Sequence, residues 1–284
     1  MKIVKFQGGL GNQMFQYALY ERLKLLDKRV YADISFYTTT KSHNGYELEN
    51  IFKIDIYKKY NFIKEKVFQN KKIMKKIRKF YKSKVINQND VFYDECILEK
   101  YIIFDGYWQS EKFFKDIEST IRRIFTFPEI IETENIEIKN KIESTNSVAI
   151  HIRRGDYIEN TILSSLASVK YYEDAIEYIK NEIKNPIFFI FSDDIKWCKE
   201  NLKIKEQVYY IDWNKGKNSY RDMQLMSLCK HNIIPNSSFS WWGAWLNKNL
   251  DKIVIAPEVW FRKETNYRYE DIVPENWIKM KNTK

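Results

Sequence analysis

The sequence of 284 residues is poor in the residues that build disulfide frameworks and zinc sites. Its three cysteines, Cys96, Cys198 and Cys229, are far apart, and none forms a CxxC pair or lies at metal-ligand spacing from a histidine. We therefore expect reduced, buried thiols in a cytoplasmic protein. Long apolar runs are missing too, so we expect neither a secretory leader nor a membrane-spanning helix.

Aromatic and basic residues, in contrast, are abundant. Hydrophobic residues make up 44% of the chain and aromatic residues 16%, a composition that excludes general disorder. The net charge of +10 lies in residues 58–90, where eleven lysines and Arg78 are opposed only by Glu65 and Asp90. This segment is either a solvated basic helix or insertion or, through residues 58–84, a peripheral contact with anionic lipid. Because the remainder is near neutral, a nucleic-acid partner is the least favoured alternative.

Short apolar runs alternate with helical periodicity along most of the chain, which predicts an α/β fold. Nearly continuous apolar strands separated by helices indicate parallel sheets covered on both faces. The predicted strands are 2–6, 29–32, 101–104, 147–152, 186–191, 207–211, 231–235 and 252–256. The polar stretch 129–146 marks the predicted boundary between a first domain, 1–140, and a second domain, 147–284. We expect two Rossmann-like halves that face a cleft.

A glycine-rich loop, GGLGNQ at 8–13, follows the first predicted strand and opens a helix. Backbone amides at a helix start can bind an anionic or polar ligand. With Asp33 about 20 residues further on, the loop is similar to a dinucleotide fingerprint, which makes an NAD-dependent oxidoreductase an alternative function. Met14, however, occupies the third glycine position and would crowd the helix against the strand. The loop is either a structural turn or a ligand loop.

Two arginines follow the strand at 147–152, in the sequence HIRRGDY at 151–157. In a turn that Gly155 can complete, Arg153 and Arg154 could donate hydrogen bonds to a diphosphate. Alternatively, they pair with Asp156 or with other carboxylates as structural salt bridges. The adhesion tripeptide RGD at 154–156 is interpreted as a chance match, because a buried strand precedes it.

Two further segments follow predicted strand ends, where ligands bind in parallel sheets. In FSDD at 191–194, Asp193 either caps the next helix or accepts hydrogen bonds from a guanine edge or a ribose. In NSSFSWWGAW at 236–245, the helix start could hold phosphate oxygens. We interpret its three tryptophans as core residues in preference to a sugar platform: Trp241, Trp242 and Trp245.

Six segments spread over nearly the whole chain resemble the bacterial α-1,2-fucosyltransferases of glycosyltransferase family 11: GGLGNQMFQYA at 8–18, DGYWQSEKFF at 105–114, HIRRGDY at 151–157, FSDD at 191–194, NSSFSWWGAWL at 236–246 and EDIVPENWIKM at 270–280. The resemblance implies a GT-B fold with GDP-fucose bound mainly by the second domain. It also implies inverting transfer of L-fucose to O2 of a terminal β-galactoside in O-antigen or other surface-glycan biosynthesis, with an oligosaccharide acceptor that can be lipid-linked.

The resemblance further implies residue roles. His151 and Arg153 would contact the pyrophosphate, and Arg153 would stabilise the leaving group. The other implied contacts are Arg154 and Asp156 in the turn, Asp193 at the guanine, Ser237, Ser238 and Phe239 at phosphate and base, and Asn12 and Gln13 toward fucose and acceptor. No metal and no cofactor other than the donor substrate is expected, and GDP-mannose or GDP-rhamnose is an alternative donor.

Two features of the reaction stay open at this stage. Asp105 and Asp156 are both candidates for the general base, and a strongly dissociative transition state needs little base assistance. Acceptor specificity is expected in the loops at 34–50 and 158–168.

Overall fold

A computed structural model describes residues 1–38, 40, 44–54, 56, 70–87, 93–154, 166–261 and 269–282. The chain divides into two compact units. The first contains Met1–Pro128 together with Glu270–Ile272, and the second contains Glu129–Tyr269 and Val273–Lys284.

The first unit is built on a parallel sheet with the strand order β2-β1-β4-β3. Its strands are β1 (Lys2–Lys5), β2 (Val30–Asp33), β3 (Val85–Asn87) and β4 (Ile103–Asp105). The helices are α1 (Leu10–Leu26), α2 (Leu48–Phe52), α3 (Lys71–Phe80), α4 (Glu95–Lys100) and α5 (Glu118–Ile124). Before α5, Glu111–Phe113 and Lys115–Ile117 form separate 3-10 turns.

The described part of the lysine-rich segment belongs to this fold. Asn70 caps α3, and Met74 on its inner face is buried against Ile3 and Ile103. The following strand, β3, pairs with β4 along the edge of the sheet. The solvated basic helix is therefore confirmed for α3, whereas β3 belongs to the sheet, so 70–87 is not an insertion as a whole.

The second unit is built on a parallel sheet of six strands in the order β10-β9-β8-β5-β6-β7. Its strands are β5 (Asn146–Ile152), β6 (Pro186–Ser192), β7 (Val208–Ile211), β8 (His231–Ile233), β9 (Val254–Pro257) and β10 (Ile278–Met280). The helices are α6 (Thr133–Glu143), α7 (Val169–Glu182), α8 (Ile195–Asn201), α9 (Tyr220–Leu228) and α10 (Ser238–Leu246). The predicted α/β class with two parallel-sheet halves is confirmed.

The division between the units differs from the predicted one. Residues 129–140 belong to the second unit, whereas the predicted first domain extends to residue 140. The reason is α6, whose Asn135, Ile138 and Ile142 are buried in that unit. A helix with so few large apolar residues resembles a polar linker in sequence.

Candidate active site

The second sheet has a topological switch point between β5 and β8. Numbered within the unit, its strands lie in the order 3-2-1-4-5-6, so the first strand, β5, is the neighbour of the fourth, β8. Ligands of open parallel sheets bind beyond the carboxyl ends of the strands at such a point. The residues that follow β5, β6 and β8 therefore form the candidate site: Arg153, Arg154, Asp193 and 236–239.

Two buried tyrosines in the first turn of α7 hold the ends of these strands. Tyr171 Oη donates to the carbonyl oxygen of Ile234 at 2.6 Å, directly after β8, and lies 3.3 Å from the carbonyl oxygen of Ile255 in β9. Tyr172 Oη donates to the carbonyl oxygen of His151 at 3.1 Å. This role was not predicted, because a tyrosine pair on the apolar face of a helix is equally typical of a hydrophobic core.

His151 connects the end of β5 to the start of α10. Its ring is almost wholly buried, and the ring centre lies 5.8 Å from that of Phe239. Burial and the charge of Arg153 lower the pKa of His151 to about 3, so the imidazole is neutral near pH 7. Among the described residues, its buried Nδ1 has no hydrogen-bond partner. A buried polar atom without a partner costs free energy, and a hydrogen bond from a ligand atom at this position would remove that cost.

Arg153, directly after β5, forms an ion pair with Asp193, directly after β6. Its Nη1 lies 3.2 Å from Oδ2, and the side chains are 34% and 26% exposed, so both charged groups are accessible. The strand register pairs Ile152 with Ser192, which brings the next residue of each strand side by side. Arg153 therefore forms one of the predicted salt bridges, and its partner is Asp193.

Arg154 is held by several contacts. Its backbone N–H donates to Asp193 Oδ1 at 2.9 Å, and its Nε donates to Asp194 Oδ2 at 3.3 Å. Its guanidinium carbon also lies 4.0 Å from the centre of the Trp197 ring, a cation–π contact. Asp194 accepts a hydrogen bond from the backbone N–H of Trp197 and caps α8, one of the two roles predicted for Asp193. Arg154 shapes the turn, supported by two residues that were not predicted.

The start of α10 supplies backbone amides next to His151. Ser237 precedes the helix in an extended conformation, and within this described segment its side chain forms no capping hydrogen bond. Ser238 and Phe239 in the first turn are partly exposed. Because the first amides of a helix have no acceptor within it, they can bind an anion.

The tryptophans of α10 belong to the core, as predicted. Trp241 and Trp242 are fully buried and Trp245 is nearly so. Trp241 also packs on Trp277, with ring centres 5.5 Å apart. Gly243 allows close packing on the preceding helix, because a Cβ there would lie 3.0 Å from that of Met226.

Asp156 and Gly155 lie outside the described residues, as does the range 157–165. The role of Asp156 therefore stays a prediction. The same holds for most of the expected acceptor loop at 158–168.

In the first unit, the side chain of Gln13 holds the glycine loop in place. It is fully buried, and its Nε2 donates to the carbonyl oxygens of Gly8 at 3.1 Å and Gly45 at 2.8 Å. Its Oε1 accepts from the backbone N–H of Glu47 at 2.8 Å. Both amide hydrogens are used within the protein, so Gln13 positions the loop, and its place on the fucose and acceptor side stays a prediction.

Asn12 is partly exposed beside this loop. Its Oδ1 accepts from Gln109 Nε2 at 2.7 Å, and Gly8 approaches it closely. Gly8 has a φ of +81°, and a Cβ there would lie 2.7 Å from Asn12 Nδ2, so both the conformation and the space require glycine. The predicted role of Asn12 at the sugar stays a prediction.

Asp33, the acidic residue of the dinucleotide pattern, is used within the protein. It is 1% exposed, and its Oδ1 accepts from the backbone N–H and the hydroxyl of Ser35 at 3.0 and 2.6 Å. Its Oδ2 lies 3.4 Å from Arg78 Nη2. Met14 fills the third glycine position as a fully buried core residue. A carboxylate enclosed in this way is not available to a ribose.

A polar network lies beyond the carboxyl end of β7. Asn135 and Asn214 exchange two side-chain hydrogen bonds of 2.9 and 3.0 Å, and Asn214 Nδ2 also donates to Asp222 Oδ1 at 2.8 Å. Burial raises the pKa of Asp222 to about 7, against the lowering effect of the Asn214 hydrogen bond. The network fastens α6 to the start of α9.

Comparison with known proteins agrees with these motifs. A family model described as glycosyl transferase family 11 matches residues 1–281. This chain belongs to glycosyltransferase family 11. The transferase is 37% identical to an α-1,2-colitosyltransferase of Escherichia coli, over 98% of this chain and 98% of the relative. It is 32% identical to the O-antigen biosynthesis glycosyltransferase WbnK of Escherichia coli, over 96% and 98%.

The family 11 transferase also has relatives in animals. It is 25% identical to galactoside α-(1,2)-fucosyltransferase 2 of Gorilla gorilla gorilla, over 88% of this chain and 69% of the relative. The predicted family is therefore confirmed, and the oxidoreductase alternative has no support. Of the helices described in the family 11 transferase, none is long and apolar enough to cross a membrane.

Proposed function

We propose that this family 11 transferase moves L-fucose from GDP-β-L-fucose to O2 of a terminal β-galactoside, with inversion, in the assembly of O-antigen or another surface glycan. The observation that carries the proposal is the switch point between β5 and β8, where an accessible arginine, a neutral histidine and a helix start meet. Relatives named as α-1,2-colitosyl- and galactoside α-(1,2)-fucosyltransferases support the linkage and the acceptor class.

The donor diphosphate is assigned to this switch point. Arg153 has a fork of donors for the phosphate oxygens, and the amides of α10 supply further hydrogen bonds. Negative charge accumulates on the departing GDP. A hydrogen-bond donor such as Arg153 at this position therefore stabilises the transition state by about 3 kcal/mol. Since His151 is neutral, it contributes a hydrogen bond and no charge.

The reaction is a single displacement. A bond forms between the acceptor O2 and the anomeric carbon of fucose while the bond from that carbon to the β-phosphate oxygen breaks, which converts the β-linked donor into an α-linked product. The proton of the acceptor hydroxyl passes to a base or to solvent.

Asp105 is poorly suited to be that base. Burial raises its pKa, but Arg78 and Lys5 outweigh burial and hold the pKa below its ordinary value. Lys5 Nζ lies 3.0 Å from Asp105 Oδ1, so the carboxylate is already neutralised by its partners. Asp156 stays a candidate, next to a strongly dissociative transition state that needs little base assistance.

We assign no divalent metal to the reaction. The two adjacent carboxylates that a metal would use, Asp193 and Asp194, pair with Arg153 and Arg154. Arginine then supplies the positive charge that a cation supplies in metal-dependent transferases.

A second donor is favoured by the relative named as a colitosyltransferase. Colitose is fucose without its 3-hydroxyl group, so the two GDP-sugars share the diphosphate and the base. Only a contact with the 3-hydroxyl would separate them, and a site built to bond that hydroxyl rejects the deoxy sugar strongly.

The deciding experiment measures GDP release by the EDTA-treated protein, with lactose or a β-galactosyl-N-acetylhexosamine as acceptor. GDP-fucose, GDP-colitose and GDP-mannose are compared at equal concentration. Acceptor-dependent release from GDP-fucose, with an α-1,2 linkage by NMR, supports the proposal, and faster release from GDP-colitose selects the second donor. GDP binding without turnover on any galactoside rejects the acceptor, and failure to bind GDP rejects the assigned site.

A further inference from the structure

The exposed face of α3 is a continuous stripe of lysines. Five of them recur at positions i, i+1, i+4, i+5 and i+8, a spacing that places them on one face of the helix: Lys71, Lys72, Lys75, Lys76 and Lys79. All five are exposed, and Lys82 and Lys84 extend the stripe toward β3. Residues 70–87 contain no aspartate or glutamate to balance these charges.

The opposite face of α3 is anchored to the first sheet. Met74 is buried in the core, and Arg78 pairs with Asp105 at the end of β4 and with Asp33 at the end of β2. These contacts fix the rotation of the helix about its axis. The lysine stripe is therefore presented outward as a rigid surface.

This distribution of charge does not stabilise a helix that faces only water. Lysines four residues apart on one helix face repel each other, and α3 contains three such pairs: Lys71 with Lys75, Lys72 with Lys76, and Lys75 with Lys79. Other exposed helices of the chain intersperse acids, for example Asp174 beside Lys170 and Glu177 beside Lys180. The unbalanced stripe is better matched to an external anionic partner.

Two apolar side chains lie on the flank of the stripe. Phe80 is 82% exposed and Ile73, about two turns earlier on the same flank, is 36% exposed. Basic residues next to an exposed aromatic ring are typical of helices that lie on a lipid surface, where the ring enters the headgroup boundary. A nucleic-acid backbone would satisfy the charges and leave these side chains in water.

We propose that α3, with Lys82 and Lys84, docks on an anionic phospholipid surface. The lysines contact the headgroups, and Phe80 enters the interface beside them. Each lysine near such a surface strengthens binding about fivefold, so the stripe is sufficient for reversible, salt-sensitive association. The proposal is independent of which sugar donor or acceptor the enzyme uses.

The test is cosedimentation of the full chain with vesicles of phosphatidylcholine alone, or of phosphatidylcholine with an equal amount of phosphatidylglycerol. We expect binding only to the anionic vesicles and its loss at high salt. Changing four lysines to glutamine (Lys72, Lys75, Lys76 and Lys79) should weaken binding by at least about a hundredfold. The matched control changes four exposed lysines of the second unit to glutamine: Lys196, Lys203, Lys215 and Lys217.

Phe80→Ser separates a lipid from another polyanion. It should weaken vesicle binding about threefold to tenfold while binding of a duplex oligonucleotide is unchanged. Thermal melting and GDP release with a soluble acceptor report whether each variant is folded. None of the substituted residues belongs to the candidate active site. The proposal is overturned if the wild type does not bind anionic vesicles, if the control variant loses as much binding as the α3 variant, or if Phe80→Ser has no effect on vesicle binding.

Discussion

Arg153 and Asp193 neutralise each other across two adjacent parallel strands, with Nη1 3.2 Å from Oδ2. A diphosphate that approaches Arg153 competes with this carboxylate. We expect the pair to open when the donor binds, which would release Asp193 for the guanine base. Both residues can then serve the donor, although they contact each other in the structure.

The first prediction concerns Arg153. Arg153→Ala should lower kcat by about a hundredfold to a thousandfold, because the charge that develops on GDP loses its main partner. Arg153→Lys should recover part of the loss, since it keeps the charge without the planar fork. The measurement is GDP release at saturating donor, with Arg123→Ala at an exposed position as control. Activity of Arg153→Ala above about a tenth of the wild-type rate would contradict the role.

The second prediction separates two roles of Asp193. Asp193→Asn removes the carboxylate that competes for Arg153, so inorganic pyrophosphate should bind severalfold more tightly, measured by calorimetry. GDP should not share this gain, because the base loses its acceptor. Equal changes in affinity for both ligands would show that Asp193 does not contact the base.

The third prediction concerns the contact between Arg154 and Trp197. Removing either side chain should destabilise the second unit by about 1 kcal/mol, and removing both should cost less than the sum. A double-mutant cycle of Arg154→Met and Trp197→Leu in urea measures this coupling. Lys196→Ala, at an exposed position of the same helix, is the control. If the destabilisations of the two single variants add up to that of the double variant, the contact between Arg154 and Trp197 does not contribute to stability.

The fourth prediction is a pH dependence of stability. The pKa of Asp222 rises from 3.8 to about 7 on folding, so the folded state holds a proton that the unfolded state has lost between these values. This contribution is complete below about pH 4 and disappears as the pH rises through about 7. Asp222→Asn cannot titrate, so the free energy of unfolding of this variant should rise relative to that of the wild type between these pH values, by on the order of 4 kcal/mol.

His151 titrates in the opposite sense, which makes the comparison with the variant necessary. Its pKa falls from 6.5 to about 3, so its contribution grows as the pH rises from about 3 to about 6.5. Both the wild type and Asp222→Asn contain this histidine, and its effect cancels in their difference. The free energy of unfolding of both proteins is measured from about pH 4 to about pH 8. A constant difference between the wild type and Asp222→Asn over this range would disprove a raised pKa at Asp222.

Much of the second unit could be predicted, because its strands are apolar over their whole length. The predicted range 147–152 differs by one residue from β5, and 186–191 by one residue from β6. The position of the motifs at strand ends followed from these strands. β10 was missed because its three residues include only one large aliphatic side chain and a methionine around Lys279.

The partners of the predicted site residues could not be read in the same way. Asp193 reaches Arg153 only through the register of β5 and β6, and register is a property of the folded sheet. Gln13 resembles a ligand residue in sequence because it is polar and follows glycines. Its bonds to Gly45 and Glu47 depend on a loop that lies more than thirty residues away, a separation that motif spacing does not reveal.

The return of Glu270–Ile272 to the first unit affects how the chain can be divided for experiment. Asp271 accepts hydrogen bonds from Lys112 and Tyr93, whereas β10, a few residues later, completes the second sheet. A cut after Pro128 would deprive the first unit of Asp271, and a fragment that stops before Glu270 would lack β10. A stable fragment of the second unit would have to begin near Glu129, keep β10, and replace 270–272 with a short polar linker.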